Sequence, residues 1–247
     1  MLASTPLVIV PTYNEVESLP ILVQQVLHYS PGVHILIVDD NSPDGTGAVA
    51  DNLAKTDARV HVLHRSAKNG LGPAYLAGFA WGIEQGFGYL IEMDADGSHR
   101  PEDLPRLLAA KEHADLVIGS RWVPGGSVVN WPASRMFISR AGSWYANLML
   151  RAGIRDITAG FRVYRSSLLQ TLNLERVSAQ GYSFQIEMAW KSRLSGAKIV
   201  EVPITFIERV HGSSKMSLSI VIEAIVRVTR WGIGRRFRKL RGLDESF

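Results

Sequence analysis

The stretch Tyr89-Leu90-Ile91-Glu92-Met93-Asp94-Ala95-Asp96-Gly97-Ser98-His99 decides how the chain is read. Tyr89-Leu90-Ile91 has the character of the end of a buried strand, and the apolar run stops at two carboxylates spaced i, i+2. Gly97 follows, and Pro101 starts a helix. Where a strand ends, its alternation relaxes into a turn, so both carboxylates reach one point in space. Two hard oxygen ligands at one point suit Mg2+ or Mn2+ with positions left open for phosphate oxygens. In isolation, Asp94 and Asp96 read first as a loop turn and a helix N-cap. The surrounding chain shifts that reading towards function.

Upstream, Leu7-Val8-Ile9-Val10-Pro11 and Val33-His34-Ile35-Leu36-Ile37-Val38 are continuous apolar runs of the kind found in central parallel strands. Helical patterns follow each, to about Tyr29 and about Lys55, with a further strand at Val60-His64. Asn69-Gly70-Leu71-Gly72 opens another helix, without the third glycine of a dinucleotide fingerprint. Asp40 to Gly45 resembles a calcium loop only superficially, since it lacks the closing Glu and contains Pro43. Downstream, Leu104–His113 is helical and Leu116-Val117-Ile118-Gly119 is a fifth strand. Strands alternating with helices predict an α/β fold around a mostly parallel sheet. In such sheets ligands sit beyond the carboxyl ends of the strands. Those ends here are Pro11-Thr12-Tyr13-Asn14-Glu15, Asp39-Asp40, Asp94-Ala95-Asp96 and Ser120-Arg121. Four polar strand ends lining one crevice make a binding site.

The 247 residues suffice for one large domain with an appendage, and 46% hydrophobic residues supply a core. The chain has no cysteine, which excludes disulfides and cysteine chemistry and fits a reducing compartment. Met1 to Thr5 lead straight into a strand with no signal pattern, and no apolar run of about 18 residues predicts a membrane span. The net charge of +4 is uneven: Arg227–Phe247 holds seven basic residues against Asp244 and Glu245, leaving 20 basic and 21 acidic residues in the body. A body at −1 with a basic tail argues against a nucleic-acid domain and points to an anionic membrane face.

After Arg121 the pattern changes. Val123–Pro132 reads as a Gly/Pro loop carrying Trp131, either a lid that contacts an acceptor or a loop whose Trp packs inward. Ser134–Arg151 is helical, Thr158–Tyr164 resumes strand character, Gln180–Leu194 is helical, and Lys198–Ile207 is extended with Pro203 at an edge or irregular position. Arg209–Lys215 is a basic loop suited to a diphosphate leaving group, or a solvated surface cluster. Met216–Lys239 reads as one helix with a narrow polar stripe, a wide apolar face and a basic end. That composition suits a lipid interface or packing on a protein face, and Glu223, Arg227 and Arg230 argue against a span.

Taken together, Pro11-Thr12-Tyr13-Asn14-Glu15, Asp39 to Thr46, Met93 to His99 and Gly119-Ser120-Arg121 resemble the nucleotide-sugar domain of inverting family 2 glycosyltransferases of the GT-A fold. Asn130-Trp131, Arg135 with Ser139-Arg140, Asp156 to Arg162, Gly181 to Met188 and Arg209 to Lys215 narrow the resemblance to the dolichol-phosphate (polyprenol-phosphate) mannose synthases. The resemblance covers roughly residues 5 to 216. It implies a catalytic domain over residues 1–215, followed by an amphipathic basic helix and tail over 216–247 at a membrane interface. It implies that Pro11, Tyr13, Glu15 and Asp39 contact guanosine and that Asp94 and Asp96 bind the metal. Ser98 stands at the motif's third position, which is glutamine in some relatives. Arg121, Arg135 and Ser139 match positions on the acceptor phosphate, and Arg209 and Lys215 match the loop that closes over the donor diphosphate.

The activity so implied is inverting transfer of mannose from GDP-mannose to a polyprenyl or dolichyl monophosphate, with Mg2+ or Mn2+, at the cytoplasmic face of a membrane. Asp96 and Arg121 would carry catalysis, and a membrane-anchoring protein subunit is a further implied partner. A phosphate monoester with a second pKa of about 6 is largely dianionic at neutral pH, so it needs no strong general base. Two alternatives stay open at this point. One is a polyprenyl-phosphate glucose synthase using UDP-glucose, and the other is a non-catalytic nucleotide-sugar-binding membrane subunit.

Overall fold

Continuous Val, Ile and Leu runs cannot leave one face in water, and the chain buries them between two layers of helices. The computed structural model describes residues 2–177, 181–208 and 218–241. Strands β1 (Pro6–Thr12), β2 (His34–Asp39), β3 (Val60–His64) and β4 (Tyr89–Glu92) are mutually parallel, and β5 (Leu116–Ser120) pairs in parallel with β8 (Ile199–Pro203). Between β4 and β5 lies β7 (Arg162–Arg165), antiparallel to both, so the seven-stranded order is β3-β2-β1-β4-β7-β5-β8. The sheet is thus mostly parallel, as the strand–helix alternation predicts.

Alternate strand residues feed opposite cores. Val8, Val10, Ile35, Ile37 and Ile91 pack under α1 (Ser18–Tyr29), α2 (Thr46–Thr56) and α4 (Leu104–Ala110). Leu7, Ile9, Leu36, Leu90 and Ile118 pack under α3 (Leu71–Glu84), α6 (Ser166–Thr171) and α7 (Gly181–Leu194). α3 lies close on the sheet because Gly78 and Gly82 face it: a Cβ at Gly78 would stand 2.5 Å from the Ile9 side chain. The helices α5 (Ala133–Leu150) and α8 (Leu218–Leu240) pack on each other at the outside of this second layer.

The Gly/Pro segment expected to be a loop contains a short strand, β6 (Ser127–Val129), paired in parallel with β9 (Thr205–Ile207). Pro203 ends edge strand β8, and the chain crosses to this ribbon two residues later, in keeping with the edge position read from the proline. The ribbon covers the loop after β4: Ile207 N–H donates to Ser98 O at 3.3 Å, and His99 bridges to Phe206. No helix among the described residues is long and apolar enough to cross a membrane.

Candidate active site

The ends of β1, β2, β4 and β5 open on one edge of the sheet, and each sharp exit has a local cause. Asn14 and Asn41, just past β1 and β2, adopt left-handed backbone conformations, which asparagine tolerates better than most residues. Gly97 turns the β4 exit at φ +76°.

The first half of the crevice is a hydrogen-bonded cradle. Asp39, 2% exposed, accepts from Thr12 Oγ1 at 3.1 Å, Ser42 N–H at 3.2 Å and Ser42 Oγ at 2.6 Å. Glu15 N–H donates to Thr46 Oγ1 at 2.9 Å, and the Glu15 carboxylate accepts from Ser18 Oγ at 2.8 Å. Asp44 ties the two exits together, taking Thr46 Oγ1 at 2.6 Å and Val16 N–H at 3.2 Å. Tyr13 lies half-buried beneath the Lys68 ammonium, 3.7 Å from its ring centroid, and Pro11 sits one residue inside the end of β1. Arg65 bonds Asp40 at 2.6 Å, and burial raises the Asp40 carboxyl above its ordinary range against that pull. The four residues expected to contact guanosine therefore share one crevice edge. The arginine and lysine beside them, Arg65 and Lys68, were not anticipated; Lys68 sits just before Asn69-Gly70, the only sequence signal for it.

The second half is the loop after β4. Tyr75 OH, fully buried on α3, donates to Asp94 Oδ1 at 2.9 Å. Burial, and then the charge of Asp94, lift the Tyr75 phenol well above its ordinary pKa, so it stays a donor. Asp94 N–H donates to His99 Nδ1 at 3.0 Å, which leaves the ring proton on Nε2, and His99 stacks on Phe161 at 5.1 Å. Asp96 Oδ1 accepts Ser98 N–H at 3.0 Å. The two carboxylates are thus each oriented by a neighbouring donor, as supported metal ligands are. Ser98 Oγ is buried and has no hydrogen-bond partner among the described residues, an orphaned oxygen in the same turn. Among the described residues no group of three His, Cys, Asp or Glu is placed to hold a metal, and Asp94 and Asp96 are the carboxylates of this turn. Hard oxygens in that number fit a divalent cation that completes its shell with phosphate and water.

Behind Asp94 lies a buried polar knot that the sequence did not reveal. Glu92 is fully buried, and burial pushes its carboxyl up to about 8 despite the nearby Arg162 charge. Arg162, paired with Glu92 across β4 and β7, donates to the carbonyls of Ala159, Gln185 and Ile157, each at 2.8 Å, and to Tyr164 OH at 3.0 Å.

The acceptor-side residues lie beyond β5. Arg121 is 5% exposed, and Asp156, fully buried, takes its N–H at 2.9 Å, Nε at 2.7 Å and Nη2 at 2.6 Å. Its guanidinium also lies 5.3 to 5.4 Å from the ring centres of Trp122, Trp131 and Phe206. Arg121, expected on the acceptor phosphate, is held through Nε and Nη2 by this buried carboxylate and stands behind an aromatic wall. Trp131 follows the inward-packing alternative, edge-on to Phe206 at 5.3 Å. Arg135 stacks on Trp131 at 4.3 Å and ion-pairs with Glu208, which is part-exposed. Ser139 lies one turn further along α5, half-buried. Arg209 and Lys215 lie outside the described residues, between Glu208 and Leu218.

Comparison with known proteins places this architecture. The glycosyl transferase family 2 model matches residues 7–172. An undecaprenyl-phosphate mannosyltransferase of Micrococcus luteus is 56% identical over 235 residues, 95% of this chain and 97% of the relative. A polyprenol monophosphomannose synthase of Mycolicibacterium smegmatis is 55% identical over 239 residues, 96% of this chain and 90% of the relative. The crystal structure of a glucosyl-3-phosphoglycerate synthase from Mycobacterium tuberculosis, in complex with Mn2+, UDP-glucose and phosphoglyceric acid, superposes with a TM-score of 0.67 at 17% identity, covering 94% of this chain and 80% of that one. At that identity the likeness speaks for the GT-A fold alone. The chain belongs to glycosyl transferase family 2, in the branch that holds these two polyprenyl-phosphate mannosyltransferases.

Proposed function

We propose that this protein transfers mannose from GDP-mannose to a polyprenyl monophosphate with inversion at the anomeric carbon. The observation that carries the reading is near-full-length identity above one half to two proteins named for mannosyl transfer to polyprenyl phosphate or synthesis of its product. In this reading Pro11, Tyr13, Glu15 and Asp39 line the guanosine end, while Asp94 and Asp96 hold Mg2+ or Mn2+, with Ser98 Oγ beside them. A bound cation there would neutralise charge that builds on the diphosphate as it leaves the sugar. Arg209 and Lys215 are assigned to the same diphosphate.

The chain's own task is then to hold a nucleophile that is already ionised. Arg135 and Ser139 are the acceptor-phosphate residues of this reading. Arg135 can exchange its partner at less cost than a fully buried pair, because the Glu208 side chain is 26% exposed against none for Asp156. Arg121 is the third acceptor-phosphate residue of this reading and its catalytic arginine, set in place by fully buried Asp156 on Nε and Nη2 and by the wall of Trp122, Trp131 and Phe206. Holding the phosphate in line with the anomeric carbon supplies orientation, which is the larger part of what a reaction without a strong base requires. The enzyme works from the cytoplasmic face of a membrane as a peripheral protein, through α8 or an anchoring subunit.

The test is transfer by purified protein with detergent-dispersed polyprenyl phosphate, comparing labelled GDP-mannose with UDP-glucose, with and without EDTA. Mannolipid from GDP-mannose that EDTA abolishes is the expected product. Glucolipid from UDP-glucose alone would overturn the donor, and binding of GDP-mannose without turnover would favour a non-catalytic subunit. Asp96→Ala is expected to abolish turnover; near-normal activity in that variant would remove the cation from the reading.

A further inference from the structure

The segment between α5 and β7, residues 151–161, has no helix or strand of its own, yet it carries Asp156, the carboxylate that holds Arg121. A carboxylate orients a guanidinium only as well as its own backbone is fixed. Two side chains from regular elements fix it. Asn147, one turn before the end of α5, accepts Ile154 N–H on Oδ1 at 3.0 Å and donates from Nδ2 to Ile154 O. Glu201, on β8, accepts Arg155 N–H on Oε2 at 2.8 Å and Asp156 N–H on Oε1 at 2.9 Å. Both oxygens of Glu201 are therefore engaged by consecutive amides, and the second amide belongs to Asp156 itself.

Glu201 comes from the strand beside the one that Arg121 ends. β8 pairs in parallel with β5, Glu201 opposite Ile118, and β5 runs out at Ser120, directly before Arg121. One strand pair thus fixes both members of the ion pair. β5 carries the arginine, and β8 reaches through Glu201 to the backbone of its carboxylate. Thr158 Oγ1, two residues past Asp156, also accepts from Arg121 Nη2, at 3.0 Å. Holding the edge that carries Nε and Nη2 fixes the plane of the guanidinium, and with it the direction of the edge that carries Nη1 and Nη2. An arginine recognises phosphate through such a planar fork, and a small rotation of the fork moves the phosphate off line.

We propose that Glu201 is a positioning residue for transfer: it clamps the backbone at Arg155 and Asp156 to β8, and through Asp156 it sets the orientation of Arg121. The proposal deepens the reading of Arg121 as an acceptor-phosphate residue and rests on that reading for what the arginine does. A glutamine cannot substitute in the clamp. Its amide has one accepting oxygen, and its NH2 would face the other backbone N–H, donor against donor.

The test compares Glu201→Gln with Asp115→Asn. Asp115 makes the same kind of bond on the same strand pair, accepting Lys198 N–H at 2.9 Å, but at the strand starts, away from Arg121. Three quantities are read on the full chain. One is hydrogen exchange of the Arg121 Nε–H by heteronuclear NMR without substrate, assigned by its loss in Arg121→Lys. The others are the Kd of GDP-mannose and kcat/KM for detergent-dispersed polyprenyl phosphate. In Glu201→Gln the Nε–H should exchange at least about tenfold faster, and kcat/KM for the lipid should fall at least about tenfold, with GDP-mannose binding unchanged. Asp115→Asn should lower the denaturation midpoint and leave all three quantities at wild-type values. Wild-type exchange in Glu201→Gln overturns the proposal, as does faster exchange with unchanged kcat/KM. Equal losses in the two variants overturn it too, since Glu201 would then serve the strand pairing alone. If Glu201→Gln loses the wild-type circular dichroism spectrum, Glu201→Asp reads the same quantities, because it keeps the charge and shortens the reach by one methylene; wild-type values there overturn the proposal. Exchange is read without turnover, so absence of mannolipid from wild type would remove the acceptor reading and leave the hold of Glu201 on Arg121 to be judged by its own result.

Discussion

Three residues in the crevice differ in how much each can give up. Arg121 faces a carboxylate with no access to water, and truncating one partner of such a pair leaves a buried charge. Arg121→Ala should cost about 3–5 kcal/mol of stability, read as a lowered denaturation midpoint. Arg135→Ala, whose partner Glu208 is part-exposed, should lower the midpoint less than Arg121→Ala does and raise the KM for the lipid acceptor, with the KM for GDP-mannose unaffected. If Arg135→Ala raises only the donor KM, the acceptor assignment is wrong. Tyr75→Phe keeps the ring in its buried slot and removes the donor to Asp94. The apparent affinity for Mg2+ or Mn2+, titrated as GDP-mannose binding in the absence of acceptor, should fall about tenfold. An unchanged titration would show that Tyr75 does not orient the ligand. The placement of Asp39, Asp94 and Asp96 at one crevice was legible because apolar runs that stop at acids mark strand ends, and the ends of parallel strands open on one edge of the sheet. Tyr75, Asp156 and Glu208 were not legible in these roles, because each acts on a partner at least 19 positions away and nothing local marks it.

Among the elements, α3 shows how backbone proximity sets a side chain. Gly78 and Gly82 let the helix sit against β1 and β4, and Tyr75, one turn earlier, thereby reaches Asp94. Gly78→Ala would press a methyl group to 2.5 Å from Ile9 and lift the helix. The expected cost is about 1–3 kcal/mol in chemical denaturation, together with weakened cation-dependent donor binding. Loss of stability with intact donor binding would separate the two effects. Strands β1 to β5 were readable within a residue or two and their helices within three, since long apolar runs admit few alternatives. The reversed direction of β7 was not readable, because a four-residue run carries no mark of parallel or antiparallel pairing. Strands β6 and β9 are three residues each and exist through their pairing with one another, which Gly and Pro signals in Val123–Pro132 obscured.

At the scale of the molecule, stability should depend on pH through Glu92. Its carboxyl stands at about 8 in the fold against 4.5 outside it, so folding takes up a proton between those values. Stability should then be greatest towards the lower end of that window and fall as pH rises to about 8, by on the order of a few kcal/mol. Measured with EDTA present, Glu92→Gln should flatten this slope; a slope equal to that of wild type would assign it to other groups. The sheet order also bears on assembly during synthesis. The outer edge of β4, which leads into Asp94 and Asp96, pairs with β7, and β7 begins at residue 162. A ribosome therefore adds some seventy residues after Glu92 before that edge gains its partner. During that interval the nascent chain already holds the strands of the nucleotide cradle, while its carboxylate strand presents an open edge on which other chains can pair.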